Sequence, residues 1–380
     1  MLIALVSTAA GLACATVPQV DVYTMGPGAA LFERFGHAAI CTVCESEPRK
    51  TRCYNYGTTD FDTPPHELGW RFVRGGAVFW VSVWDRGRML RSYTRSGRKI
   101  WRQRLPLSPD QAREVAAKLQ VDALEENRHY AYHHFYDNCT TRVRDIVDRA
   151  TGNALSRGSQ SRLPVSYREL ARERLRDQTG LLLASDFLVG RGADRHPTRY
   201  EAMFLPSVMR EAIAERLGVP PEPVNAPPDL GLPAGRSGRG WMLAVAALLG
   251  APLAGARRWP RWRRAARRIA GGALGFLGLV VWAVALVSTV PELRTNEALL
   301  LFVPADLCLI WSGLRWRQVY VRVRLVMVAA LSALVAIGVL LQPLLHLVPV
   351  AALPLLLILL EKRVSGPIRR TELAWESTSA

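Results

Sequence analysis

The stretch YDNCTTRVRDIVDRATG, residues 136–152, decides how the first part of the chain is read. Val143, Ile146, Val147 and Ala150 recur at helical spacing and Gly152 supplies a stop. Arg144 and Asp148, like Asp145 and Arg149, sit four apart on the wet side. Asn138 is a suitable N-cap, which sets Cys139 in the first turn of a helix. A thiol there meets unpaired backbone N–H groups and the positive end of the helix dipole, and both favour thiolate over thiol. Cys139 is therefore a candidate nucleophile. Such a thiol needs a base, usually a histidine held in its tautomer by a third polar group.

Upstream, FGHAAICTV (35–43) alternates so that Phe35, His37, Ala39, Cys41 and Val43 share one face of a strand. His37, between Gly36 and small alanines, is the best candidate base. CYNYG (53–57), VFWVSVW (78–84) and KIWRQRL (99–105) read as further strands. SPDQ (108–111) combines an N-cap, a proline at the first helical position and a capping-box glutamine, which predicts a helix to about Asn127. The fold class is α+β. The bland alternative makes His37 a satisfied core histidine and Cys139 a small hydrophobe, and these residues alone leave it open.

Cys41, Cys44 and Cys53 lie close together, and outside the cytoplasm thiols tend to pair. A Cys41–Cys53 disulfide across a hairpin would set Asn55 opposite Ala39, diagonal to His37, giving a Cys-His-Asn set in one cleft. A Cys41–Cys44 bond would remove that placement, and zinc ranks below a disulfide because no matching histidine spacing lies nearby. His129 and His133, four apart, and His134 read as a solvated polar face rather than a metal site. Tyr130, Tyr132, Phe135 and Tyr136 either line an apolar acyl groove or pack under the helix, and packing is the simpler reading.

Beyond Gly240 five apolar runs follow, near Trp241–Ala256, Ile269–Thr289, Ala298–Leu314, Leu325–Gln342 and Leu344–Leu360. Arg257–Arg268 holds seven arginines and Arg315–Arg324 four, and Glu361–Arg370 is basic again, whereas the alternate connections carry almost no positive charge. The basic segments are then cytoplasmic and the soluble domain lies outside. The apolar start, closing on Ala13-Cys14-Ala15, reads as an export signal cleaved after Ala15, or else a retained anchor. Lipid attachment at Cys14 is a weaker alternative. The net charge of +17 does not point to nucleic acid, because so much arginine flanks apolar runs. The expected organisation is a signal segment or anchor at 1–15, an extracytoplasmic domain at 20–215, a Pro/Gly linker at 216–240, a five-helix transmembrane domain at 241–361 and a cytoplasmic tail at 362–380.

YTMGPGAALFERFGHAAI (23–40), YNYGTTDFD (54–62), FYDNCTTRVRD (135–145) and YEAMFLPSVM (200–209) together resemble the extracytoplasmic domain of Lnb, the bacterial lipoprotein N-acyltransferase. LRTNEALLLFVPADLCL (293–309) is similar to that family's N-x-x-L-L-x-x-x-P membrane segment, through Asn296 and Pro304. Val303 departs from the polar residue expected before that proline, and Asp306 is a candidate to compensate. The resemblance implies a permuted papain-like (NlpC-type) cysteine fold, similar in its order of histidine strand and cysteine helix to lecithin retinol acyltransferase. It implies Cys139 as nucleophile, His37 as base and Asn55 as third residue. It further implies Gly36, Tyr56, Tyr136, Asn138, Arg142 and Asn296 as supporting or substrate-contacting residues.

The implied reaction moves an acyl chain, from the sn-2 position in Lnb, off the diacylglyceryl group of a lipoprotein to its N-terminal cysteine amine. It passes through a Cys139 thioester. The partners would be diacylated lipoproteins and membrane lipids, with no metal, diffusible cofactor or nucleic acid. Two alternatives stand beside it: a cell-wall cysteine peptidase or amidase, and a non-catalytic membrane assembly or binding protein.

Overall fold

The computed structural model of the protein describes residue 14 and residues 16–29, 31–60, 63–227, 238–311 and 313–361. Apart from Cys14, the expected signal segment lies outside the described residues, as does the tail at 362–380.

Strands β1 (Gln19–Met25), β2 (His37–Val43), β3 (Arg52–Thr58), β4 (Val78–Asp85), β5 (Ile100–Arg104), β6 (His129–Ala131) and β7 (Glu222–Asn225) form one antiparallel sheet. Its order is β6-β4-β3-β2-β1-β5-β7. Period-two alternation sends residues to two buried faces. Ala38, Ile40, Tyr54 and Tyr56 join one core with Leu119, Val143, Val147 and Ile213. These come from α3 (Pro109–Asp122), α4 (Cys139–Ala150) and α8 (Pro206–Leu217). Ala39, Cys41 and Cys53 join the opposite core with Met89, from α2 (Arg86–Arg95).

Cys41 faces Cys53 in the β2–β3 register and is bonded to it. That register, continued by one residue, sets Asn55 opposite Ala39. Cys14 is bonded to Cys44, a pairing outside those expected. That bond uses the sulfur that lipid attachment would need, and the expected cleavage after Ala15 would cut between Cys14 and the domain. Among the described residues the free cysteines are Cys139 and Cys308.

Two expectations in this domain shift. The helix opened by Ser108, whose capping box with Gln111 is present, ends at Asp122 rather than near Asn127. There the chain turns back, and the Asn127 amide donates to the Val121 carbonyl at 3.1 Å. The segment expected as a linker begins inside α8 and supplies β7, an edge strand on β5. Proline at position 223 is tolerated because an edge strand leaves one side of its backbone unpaired.

The rest of the domain consists of α1 (Pro65–Val73), α5 (Tyr167–Arg174), α6 (Thr179–Leu188) and α7 (Arg199–Ala202). In the apolar part lie α9 (Trp241–Arg258), α10 (Arg263–Val287), α11 (Pro291–Arg294), α12 (Ala298–Leu301), α13 (Leu314–Ala336) and α14 (Val348–Leu359). Among the described residues, two helices are long and apolar enough to cross a membrane, Pro260–Val287 and Arg315–Ala336. Five such helices were expected. The third apolar run is not one helix: α12 stops at Leu301, and a 3-10 turn occupies Pro304–Ile310. Pro304 has no N–H to give a helix and forces Val303 into an extended conformation (φ −114°, ψ 136°).

The broken segment packs tightly on α10. A Cβ at Gly278 would come 2.5 Å from the Val303 carbonyl carbon, and one at Gly271 or Gly275 would strike Leu309 or Leu307. Small residues let two backbones approach where lipid offers no hydrophobic drive. Asp306 does not turn to an open site beside Val303. Arg324 of α13 donates to both its carboxylate oxygens, at 2.9 and 3.0 Å, and Tyr320 donates at 2.7 Å.

Candidate active site

Asn138 caps α4 as its sequence predicts: Oδ1 accepts from the N–H groups of Thr140 (2.8 Å) and Thr141 (2.9 Å), and Thr141 Oγ1 accepts from the Asn138 N–H. The Asn138 side-chain amide donates to the carbonyls of His134 (2.8 Å) and Phe204 (3.1 Å), fixing the entry to the helix. Arg142 N–H is taken by the Asn138 carbonyl. Of the first helical N–H groups, that of Cys139 is left without a partner.

Cys139 and His37 both line a cavity of about 470 Å³, with Asn55, Asn138, Gly36 and Gly57. The two groups arrive from different layers of the molecule. Cys139 belongs to the helix on one face of the sheet, while His37 stacks on Tyr93 of α2, ring centroids 5.5 Å apart, on the other. They meet where β2 begins and where β3 is irregular between Asn55 and Thr58. Gly57, at φ +83°, gives the cysteine its place, since a Cβ there would stand 3.2 Å from Cys139 Cβ. Gly36, at φ +85°, does the same for the strand entry, because a Cβ would lie 2.8 Å from the Met25 carbonyl oxygen.

His37 Nε2 lies 3.4 Å from Asn55 Oδ1. The Asn55 amide nitrogen donates to the Cys53 carbonyl, also at 3.4 Å, which turns its oxygen toward the imidazole. Nε2–H is then the donor, and Nδ1 is left as the basic nitrogen. The backbone N–H of Ala38, the residue after His37, favours the thiolate form of Cys139.

Arg98 was not expected. It is buried at 3% exposure, lines the cavity and lies 5.0 Å over the Tyr93 ring. Its Nε donates to the Gly26 carbonyl at 2.8 Å and Nη1 is 3.5 Å from Glu33, while Nη2 has no partner. In sequence Arg98, Tyr93 and Glu33 look like parts of solvated, charge-rich segments, and nothing local marks them.

The electrostatics correct one expectation. Burial pushes the Cys139 thiol up, outweighing the bonds from Ala38 and Thr140 and the Arg98 charge, which pull it down. Burial, then Arg98, holds His37 at about 3, against the opposite influence of Asn55. Both groups keep some access to solvent through the cavity, yet dense protein around them governs their titration. At rest the pair is a neutral thiol beside a neutral imidazole, not a preformed thiolate.

Other expected residues lie elsewhere. Tyr56, Tyr136 and Arg142 line a polar cleft of about 580 Å³ on the far side of α4. Tyr56 donates to Asp122 at 2.7 Å, and Arg142 grips Asp137 with two bonds of 2.6 and 2.8 Å. Asn296 ties the membrane part to the sheet domain, its amide donating to the carbonyls of Phe187 (2.7 Å) and Leu188 (3.2 Å). His129 lies on a strand rather than a helix, and His133 reaches Glu292 at 3.1 Å across the same junction.

This is a helix-attached α+β domain with a cysteine–histidine–asparagine cluster in one cavity. Residues 13–173 match the family model described as the Lnb N-terminal periplasmic domain, so this part of the chain is Lnb-like. That kinship points to lipoprotein processing in general, and with the two candidate membrane helices it indicates a membrane protein with an extracytoplasmic domain. Comparison with curated proteins and with solved structures finds no match.

Proposed function

We propose that this chain is a lipoprotein N-acyltransferase working through a Cys139 thioester on a permuted papain-like domain. The observation that carries the reading is the cavity shared by Cys139, His37 and Asn55 within an Lnb-type domain. His37 Nδ1 takes the thiol proton as sulfur bonds to the carbonyl carbon of a diacylglyceryl ester. The ester C–O bond breaks, and His37 returns the proton to the departing glyceryl oxygen. In the second half the α-amine of the lipidated cysteine attacks the thioester. The amine proton passes through His37 to the released sulfur, leaving an amide and a lyso-lipoprotein. The unpartnered Cys139 N–H and the Arg98 charge favour the oxyanion of each tetrahedral intermediate.

We read the chain as crossing the cytoplasmic membrane five times, through α9, α10, the broken 298–311 segment, α13 and α14. Two sets of contacts support this. Glu361 draws Arg267 (3.6 Å) and Arg317 (3.2 Å) together at one end. At the other, Glu292, Asn296 and His346 hold the sheet domain, His346 lying 3.2 Å from Asp186. Reporter fusions after Arg268 or Arg324 should be cytoplasmic and one at Pro291 extracytoplasmic.

The decisive measurement is mass spectrometry of a reporter lipoprotein's N-terminus, made with wild-type protein and with Cys139→Ser. The wild type should yield an amide-linked acyl chain and a lyso-glyceryl group, and hydroxylamine at neutral pH should release acyl groups from the enzyme. Near wild-type conversion by well-folded Cys139→Ser protein would rule the mechanism out.

A further inference from the structure

A second hollow, of about 310 Å³, lies between the Cys139 cavity and the membrane part. Its walls include Phe72 of α1, Phe135, and Ala171 and Leu175 at the end of α5, with Val290 and Leu293 contributed from the membrane part. Phe35 and Tyr132 line both this hollow and the Cys139 cavity, so the two spaces share a wall.

The charged groups around it are committed to one another. Arg168 donates to Asp194 and to the carbonyls of Val189 and Gly190. Arg172 is paired with Asp186, and His133 with Glu292. His134 Nε2 has no hydrogen-bond partner. That ring is uncharged near neutrality, because burial, then the neighbouring His133, holds it at about 4. Such a lining offers a peptide backbone almost nothing to bond with, and it suits a hydrocarbon that gains simply by leaving water.

We propose that this junctional hollow holds the lipid acyl chain whose carboxyl carbon is carried by Cys139, and that its depth sets the preferred chain length. The proposal rests on the acyltransfer reading and specifies its substrate. The chain would enter from the lipid side past Val290 and Leu293, and the ester would reach the sulfur beside Phe35 and Tyr132. No bond changes in the hollow itself, which selects and positions the acyl group.

Gly69, in the middle of α1, lines the hollow, and a Cβ there meets nothing within 4 Å. A side chain can therefore begin there, and Gly69→Leu and Gly69→Trp fill part of the space and add helix propensity. Gly69→Ala is the control for the backbone, and Phe72→Ala lengthens the space. Full-length protein in liposomes is given diacylated lipopeptides bearing decanoyl or palmitoyl chains in competition, and N-acylated products are counted by mass spectrometry. Gly69→Leu should lower the palmitoyl-to-decanoyl ratio about tenfold or more, the scale on which pockets discriminate methylenes, with Gly69→Trp lowering it further. Gly69→Ala should leave the ratio as in the wild type, and Phe72→Ala should raise it. An unchanged ratio in both Gly69→Leu and Gly69→Trp, or equal loss for both chains, overturns the assignment while leaving acyltransfer intact. A wild type that acylates neither peptide overturns the acyltransfer reading, and this inference with it.

Discussion

Two spaces flank α4, and their contrast, more than their size, supports the proposed placement of the chemistry. The larger, of about 580 Å³, is lined among others by Tyr56, Lys118, Asp122, Asp137 and Arg142, and these five are bonded to one another. Arg142 is held bidentately by Asp137, Lys118 is paired with Asp122, and Tyr56 is bonded to the same carboxylate. The smaller cavity holds a thiol, an imidazole and a buried guanidinium with one nitrogen unpaired. Mutual satisfaction marks a region that stabilises the fold. An unpartnered guanidinium nitrogen in one cavity with a thiol and an imidazole fits a place kept ready for something else.

The contrast can be broken by substitution. His37→Ala should have the largest effect after loss of the thiol, about 10²–10⁴-fold in reporter conversion, because it removes proton transfer in both half-reactions. Arg98→Met should cost about 10²-fold if its charge serves the oxyanion, with substrate binding less affected, as a split between kcat and KM would reveal. Asn55→Ala removes one bond that orients the base. A loss on the order of tenfold, corresponding to about 1.4 kcal/mol, is expected. On the other side of α4, Tyr56→Phe should leave conversion within about twofold while lowering stability by about 1–2 kcal/mol in denaturant unfolding. Should Tyr56→Phe cost activity as Asn55→Ala does, the assignment of the two spaces fails.

Acidity sharpens the same comparison. His37, held at about 3, stays unprotonated and able to accept a proton throughout the neutral and mildly acidic range. Thioester formation on Cys139 should therefore not fall as the pH is lowered from about 8 to 6, where an ordinary imidazole near 6.5 would begin to lose its basic form. The amide-forming half-reaction consumes a free α-amine, ordinarily near 7.7–8.0, and should decline over that interval. Single-turnover measurements of the two halves would separate them. A matching acid limb in both would mean that His37 is not the resting base described here.

Local chemistry made part of this protein legible in its sequence. The Asn138 cap, the helix that follows and the alternation of β2 depend on neighbours within a few residues, whereas the β2–β3 register chose Cys41 facing Cys53 among the open pairings. Hydropathy located the apolar part, but it could not tell a spanning helix from the broken segment at 298–311. That outcome depends on Pro304 together with the α10 glycines and the Arg324–Asp306 pair, which lie far apart in sequence. Likewise Asn296 fits a membrane motif, yet its amide serves the junction with α6.

The sequence by itself determined which thiol heads a helix and which histidine opens a strand, because capping and alternation are short-range. Only the tertiary structure decided that the two share a cavity, arriving from opposite faces of one sheet past the Cβ-free Gly57. It also decided that Tyr93 and Arg98 complete that cavity while Tyr56 and Arg142 turn away. The ionisation of the pair belongs with these, since a helix terminus favours thiolate locally whereas burial is the work of the whole surrounding fold, and here burial prevails.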